Sequence, residues 1–413
     1  MQTAPVAITG LGIVSAIGQG KTEFSNALFE GRHNFAHMKR PGRLGRGENG
    51  DVQFLGAEIS EIALPSRLDA RTIRTSSLSA QAAAAATYEA WQEAGLDALD
   101  PARIGLVVGG SNVQQRALVQ TYDTYAERSE YVRPSYASSF FDTDITGVCS
   151  ELLGIRGFAY TLGAASASGQ VALIHAAQAV LCGQVDACIA VGALMDLSYW
   201  ECYALRSVGA MGSDCYAQDP AAACRPYDRS RDGFIYGESC AAIVVESMSC
   251  ARERSAARYA EIAGWAIRSD ANRSTNPSYE GELNTIQAAL SHAGQRATEI
   301  DYVNPHGSGS LIGDETELRA IRDAGLGHAR INATKALTGH GLTAAGAVEI
   351  AATLLQMKSG KLHPTRNLQD PIDPHLKWVG DTAEPHTVRQ CLSLSIGFGG
   401  INSAVCLRNA ELS

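Results

Sequence analysis

The chain has 413 residues, 45% of them hydrophobic and 19% charged, with a net charge of −9. That length suits two or three ordinary domains or one large duplicated one, with a sizeable core and no disorder. An acidic balance without a basic block speaks against nucleic acid, and ten scattered cysteines without CxxC spacing speak against a metal site or a disulfide framework, which implies reduced thiols in a cytoplasm.

In chain order, "VAITGLGIVS" from Val6 predicts a buried strand, not a signal peptide, because no basic segment accompanies it. A helix is expected over about residues 20–30. Residues 31–60 are Gly- and Arg-rich and predict an irregular surface excursion. "SAQAAAAATYEAWQEAG" predicts a strong helix over 76–94, stopped by a glycine. A strand follows from Ile104. Residues 112–150 read as helical but polar and aromatic, which suits an interface or a lid. "GFAYTLGAA" predicts a strand, "ASGQVALIHAAQAVLCG" a helix, and "VDACIAVGA" and "GESCAAIVVES" two buried strands.

A second set begins near Tyr259 with "YAEIAGWAIRSD" and continues with a helix over about 281–293. "IDYVNPHGSGS" is a strand that runs into a Gly/Ser loop. "TAAGAVEIAATLLQMKSG" is an apolar, small-residue helix, hence buried, and "CLSLSIGFGGINSAVCL" is a strand–loop–strand. Strands alternating with helices predict a layered α/β fold, and the coarse echo between the two sets suggests a duplication. No apolar run is long enough to span a membrane.

Four segments that follow strands are candidates for chemistry, since α/β proteins build sites on such loops. They carry Ser166 in "TLGAASASG", His306 in "NPHGSGSLIGDETE", Lys335 and His340 in "NATKALTGHGLTAAGA", and Phe398 in "GFGGIN". Each has an ordinary structural explanation. Ser166 fits a tight turn or a helix cap. The histidines fit core residues bonded to backbone, Lys335 fits an ion pair with Glu349, and Gly397, Gly399 and Gly400 fit a turn needing positive φ.

Together the stretches "VAITGLGIVSAIG", "AASASG", "RPYDRSRDGFIYGE", "NPHGSGSLIGDETE", "TKALTGHGLTAAGAVE" and "GFGGINS" resemble the β-ketoacyl-ACP synthases of the thiolase superfamily over nearly the full length. The resemblance implies a five-layered α-β-α-β-α thiolase fold built from two duplicated halves, residues 1–252 and 253–413. It implies that Ser166 stands where the family has its acylated cysteine, and that His306, His340 and Lys335 are the family's two histidines and lysine. Ser308 and Ser310 would take the place of two threonines that contact the phosphopantetheine arm of an acyl carrier protein. The backbone N–H groups of Ser166 and Phe398 would form the oxyanion hole, with Phe398 gating the pocket. A homodimer is the family default, and the only cofactor implied is the arm that the carrier brings.

Serine for cysteine changes the expected reaction. Acyl transfer needs a thiolate, and a hydroxyl is far harder to ionise without an adjacent base. Decarboxylation of a malonyl thioester needs only donors to the developing enolate oxygen, which two imidazoles supply. The pattern therefore resembles the serine-bearing ketosynthase-like decarboxylases of polyketide β-branching. These make acetyl-ACP from malonyl-ACP for a hydroxymethylglutaryl-CoA-synthase-like partner. The alternatives are an elongating synthase whose cysteine has been replaced at Ser166, and a non-catalytic partner resembling a chain-length factor.

Overall fold

The computed structural model describes residues 6–47 and 50–412. Its centre is one long twisted sheet whose two halves repeat a single topology. In the first half the strands are β1 (Val6–Ser15), β2 (Ile104–Gly109), β3 (Ala159–Leu162), β4 (Ala187–Gly192) and β5 (Ser239–Ser247), in spatial order β3-β2-β4-β5-β1. In the second half they are β6 (Ala260–Ser269), β7 (Tyr302–Asn304), β8 (Arg330–Ile331), β9 (Gln390–Gly397) and β10 (Ile401–Asn409), in order β8-β7-β9-β10-β6. Each half reads third, second, fourth, fifth, first. In each, the first, fifth and fourth strands run antiparallel and the fourth, second and third run parallel. The repeat extends to a detail of the first strand, where β1 has an irregularity between Ile8 and Gly10 and β6 has one between Ile262 and Gly264. The halves join edge to edge through β1 and β6, over Val6–Ile262, Ala7–Glu261 and Ile8–Ala260.

Helices fill the other three layers. On the outer face of the first half lie α1 (Leu78–Ala94) and α2 (Thr143–Leu153), and on that of the second lie α4 (Tyr279–Ala293) and α5 (Leu311–Asp323). Between the halves lie α3 (Ser168–Leu181) and α6 (Ala345–Ser359), buried along nearly their whole length. One apolar core contains both central helices and residues from the inner faces of both sheet halves. A helix that is hydrophobic all round belongs in such a place. The expected duplicated five-layer α/β architecture is the one observed. α3 and α6 cross at glycines near their N-termini. A Cβ on Gly169 would fall 2.8 Å from the Ala347 nitrogen, and one on Gly346 would fall 2.8 Å from the Gln170 Cβ, so the helices touch backbone to backbone.

One expectation needs correction, and one helix was not foreseen. The segment over 31–60 is not a loose excursion. It contributes short strands at Phe35–His37 and Leu55–Ala57, and its Arg43 is 0% exposed. That guanidinium meets Glu58 at 2.8 Å, Asp196 at 2.9 Å and Glu238 at 2.6 Å. Composition misleads here because a charged side chain is tolerated inside when partners fully match it. The helix α5 was hidden behind the glycines and serines of its approach loop, although Ser310 caps it by accepting from the Gly313 N–H. Residues 112–150, read as helical with polar and aromatic character, divide into exposed and packed parts. Leu118, Tyr122, Tyr131, Phe140 and Phe141 are exposed, whereas Ile145, Cys149 and Leu153 of α2 are buried.

Candidate active site

Ser166 is set by the turn that opens α3. After β3 the chain places Ala165 in the left-handed region, at φ 46°, and then makes a 3₁₀ turn over Ala165–Ala167. For a residue with a Cβ this conformation costs about 1–2 kcal/mol. The Ser168 side chain holds the turn, accepting from the Ala164 N–H at 2.9 Å and donating to the Ala165 carbonyl at 2.7 Å. Ser166 is 8% exposed, and its Oγ lies 3.1 Å from His340 Nε2.

The protonation of His340 follows from its other contact. The Leu342 N–H donates to His340 Nδ1 at 3.3 Å, so Nδ1 is the acceptor and the ring proton sits on Nε2. His340 therefore donates to Ser166 Oγ and does not take a proton from it. The ring is fixed by edge-on packing against Phe234, with centroids 5.0 Å apart, and by the His340 N–H donating to the Ile235 carbonyl at 2.7 Å.

His306 is arranged the same way by different means. Its backbone N–H donates to Glu317 at 2.6 Å, and that of Gly307 donates to the same carboxylate at 2.9 Å. Lys335 Nζ donates to the His306 carbonyl and lies 3.4 Å from its Nδ1. Nδ1 is again the acceptor, which leaves the proton on Nε2, an atom with no protein partner among the described residues. The two imidazoles stand edge to face with centroids 5.3 Å apart. Burial, reinforced by the Lys335 charge, pushes both well below the ordinary histidine value, so both rings are neutral.

Lys335 is buried behind the histidines and makes a close ion pair with Glu349 of α6. Burial outweighs the attraction of that ammonium and lifts Glu349 to about 7. The structure thus gives Lys335 both the predicted pairing with Glu349 and contacts to His306, but not a place in the cavity wall. A cavity of about 290 Å³ brings together Ser166, His306, His340, Ser308, Ser310 and Phe398. Ser308 Oγ accepts from the Ser310 N–H at 3.2 Å, and Ser310 Oγ caps α5. Phe398 is 41% exposed at the end of β9, followed by Gly399 and Gly400 at positive φ. The backbone N–H groups of Ser166 and Phe398 have no hydrogen-bond partner among the described residues.

Residues 3–251 match the β-ketoacyl synthase N-terminal domain, and residues 259–369 match the β-ketoacyl synthase C-terminal domain. The chain belongs to the β-ketoacyl synthase family. It is 54% identical to the polyketide biosynthesis malonyl-ACP decarboxylase PksF of Bacillus subtilis, over 98% of this chain and 97% of that protein. The crystal structure of a β-ketoacyl synthase from Burkholderia phymatum superposes with a TM-score of 0.87 at 27% identity, covering 99% of this chain and 100% of that one. A type II polyketide ketosynthase solved with its acyl-carrier protein superposes with a TM-score of 0.83 at 25% identity, covering 99% and 100%. These neighbours give the fold its name, the thiolase fold.

Sequence reasoning assigned no role to the acids around this site. Glu317 and Asp314 lie one helical turn apart on α5. Glu317 also accepts from the Tyr227 hydroxyl at 2.5 Å, and Asp314 accepts from the backbone N–H groups of Tyr227, Ser308 and Gly309 at 2.7–3.1 Å. They hold the His306–Ser310 loop in shape. The signal was present in "GDETE", an acid pair at i and i+3 just after the Gly/Ser loop. Glu282 of α4, which also lines the cavity, gave no such signal. Among the described residues no group of three or more His, Cys, Asp or Glu could hold a metal, and no helix is long and apolar enough to cross a membrane.

Proposed function

We propose that this protein is a ketosynthase-like decarboxylase that converts malonyl-ACP to acetyl-ACP in polyketide β-branching. The observation that carries the reading is the Ser166 Oγ–His340 Nε2 contact at 3.1 Å, together with the Leu342 N–H on His340 Nδ1, which leaves Nε2 as the donor. A serine that accepts a hydrogen bond from the imidazole beside it, with no other side chain bonded to its Oγ among the described residues, has no general base, so acyl transfer to Ser166 is disabled at its first step. The needs of decarboxylation are met by the same contacts. When the malonyl carboxylate departs as CO₂, negative charge builds on the thioester oxygen, and His306 and His340, both in the cavity wall, each present a neutral Nε2–H to it. Neutrality matters, because a ring already carrying its proton on Nε2 is ready to donate at any pH above its depressed pKa. The 54% identity to a malonyl-ACP decarboxylase supports the same reading.

The other roles are those the family resemblance implies, and the positions of the residues support them. Lys335 acts through His306, holding its carbonyl and its Nδ1, and is a positioning residue. Ser308 and Ser310 contact the carrier's phosphopantetheine arm along the cavity wall. The unpaired N–H groups of Ser166 and Phe398 form a second donor pair for a carbonyl oxygen. No further cofactor enters the reaction. The protein works in the cytoplasm as a homodimer that pairs through β3, the free edge of the sheet, where Ala159 and Tyr160 are exposed. Its product passes to a hydroxymethylglutaryl-CoA-synthase-like enzyme. Incubation of the purified chain with malonyl-carrier tests the reading. CO₂ and acetyl-carrier are expected, and acetoacetyl-carrier as the main product would show an elongating synthase instead.

A further inference from the structure

One acid in the cavity wall is used by none of these roles. Glu282 stands in the first turn of α4, which Ser278 caps by accepting from the Gly281 N–H at 3.1 Å. It is 3% exposed, and neither carboxyl oxygen has a hydrogen-bond partner among the described residues. The charged groups facing it are Glu317 and Asp314 from α5 and Asp270 from the end of β6. The cations that hold the His306–Ser310 loop are engaged elsewhere: Arg231 bonds Glu315 at 2.8 Å and lies 3.8 Å from Asp314, and Lys335 pairs with Glu349. An ionised carboxylate is strongly disfavoured in such a place, whereas a carboxylic acid is tolerated. Burial and the neighbouring acids accordingly hold Glu282 well above the ordinary carboxyl range.

Decarboxylation leaves a demand that the histidines cannot meet. The bond between the carboxylate carbon and the methylene carbon breaks, CO₂ departs, and its electron pair becomes the enolate. A proton must then reach that carbon. His306 and His340 have to keep their Nε2 protons to hold the oxygen, and the Ser166 hydroxyl is too weak an acid. We propose that Glu282 delivers the proton that turns the enolate into the acetyl methyl group. The Glu282 O–H bond breaks, a C–H bond forms, and the carboxylate left among Glu317, Asp314 and Asp270 regains a proton from water when the product leaves. This rests on the malonyl-decarboxylation reading above.

The test compares wild type with Glu282→Gln, using malonyl-carrier in equal H₂O and D₂O with ¹³C-bicarbonate present. In the variant, acetyl-carrier formation should fall about 10²-fold, the usual worth of a positioned general acid. The H/D ratio of the acetyl methyl should shift, because water replaces a carboxyl as donor. ¹³C should enter the remaining malonyl-carrier, because a longer-lived enolate recaptures CO₂. Glu282→Asp, which keeps an acid, should recover part of the rate and the wild-type H/D ratio. Glu282→Gln should fold as stably as wild type, since no native hydrogen bond is lost. A folded Glu282→Gln enzyme with unchanged rate and unchanged H/D ratio overturns the proposal. So does a rate loss accompanied by a lower Tm and an unchanged ratio. A wild-type chain that releases no CO₂ overturns the decarboxylation reading itself, and this inference with it.

Discussion

The turn that opens α3 and the turn that opens α6 are the same device used twice. Ala165 at φ 46° leads a 3₁₀ turn over Ala165–Ala167, and Leu342 at φ 51° leads one over Leu342–Ala344. Each is followed by a buried central helix with a glycine at the crossing. Ser166 in the first turn corresponds to Thr343 in the second, and there the likeness ends. Ser166 Oγ faces a cavity and an imidazole. Thr343 Oγ1 donates to the Ala193 carbonyl at 2.7 Å in a packed interior. Duplication supplied two helix N-termini but only one mouth. The second turn became the support that sets the His340 tautomer through the Leu342 N–H. The Thr343 hydroxyl should therefore be needed by the fold, whereas the Ser166 hydroxyl should be dispensable.

The largest effect should come from the support behind the second turn. Lys335→Met leaves Glu349 buried without its cation and should cost about 3–5 kcal/mol of stability, read by chemical denaturation. The loss should depend on pH. Burial already holds Glu349 at about 7, above its unfolded value, and without the ammonium its folded value rises further. A group raised in this way stabilises the fold below its unfolded pKa, and that contribution disappears as pH rises through the folded pKa. The variant should thus be least impaired near pH 5 and most impaired at pH 8 and above.

Next come the donors themselves. His306→Ala or His340→Ala should each lower CO₂ release by about 10²–10³ with the fold intact, the typical cost of one donor to a developing oxyanion. Thr343→Ala should cost about 1–3 kcal/mol of stability through the stranded Ala193 carbonyl, with little change in rate per folded molecule. Ser166→Ala should do the reverse of a catalytic knockout, with stability unchanged and a barrier altered by less than about 1.4 kcal/mol. If Ser166→Ala abolishes turnover while Thr343→Ala is silent in denaturation, the contrast drawn between the two turns is wrong. Ser166→Cys sharpens it from the other side. The N-terminus of α3 favours thiolate, so the variant should acylate itself from an acyl-carrier, as intact-mass spectrometry would show. The smallest signature is the absence of one. With both rings held well below 6.5, the pH–rate profile of wild type should show no histidine inflection at the ordinary value.

Much of this arrangement was legible in the order of residues. The strand–helix alternation and the buried small-residue helices at 168–181 and 345–359 follow from pattern, because burial on all sides leaves no polar face to confuse the reading. The segments carrying Ser166, His306, Lys335, His340 and Phe398 stood out because each follows a strand. Directions and pairings were not legible. Which ring nitrogen of His340 carries the proton depends on the Leu342 N–H, and which side of His306 Lys335 occupies depends on a fold that brings residues 29 positions apart into contact. The burial of Arg43 was not legible because its three carboxylate partners come from residues 58, 196 and 238. Glu282 was invisible for a simpler reason: a glutamate in the first turn of a helix is the commonest of surface residues, and nothing local marks this one as buried.

The glycine crossing of α3 and α6 has a consequence for how such a protein can change over time. A side chain at Gly169 would meet Ala347 in the other half, and one at Gly346 would meet Gln170 in the first. Neither half can therefore enlarge its helix start without a simultaneous answer from its counterpart. Once fused and packed in this way, the two copies lose their independence as exchangeable modules. They are free to diverge at Ser166 and Thr343, where chemistry differs, but remain bound to each other's smallest residues a few positions further on.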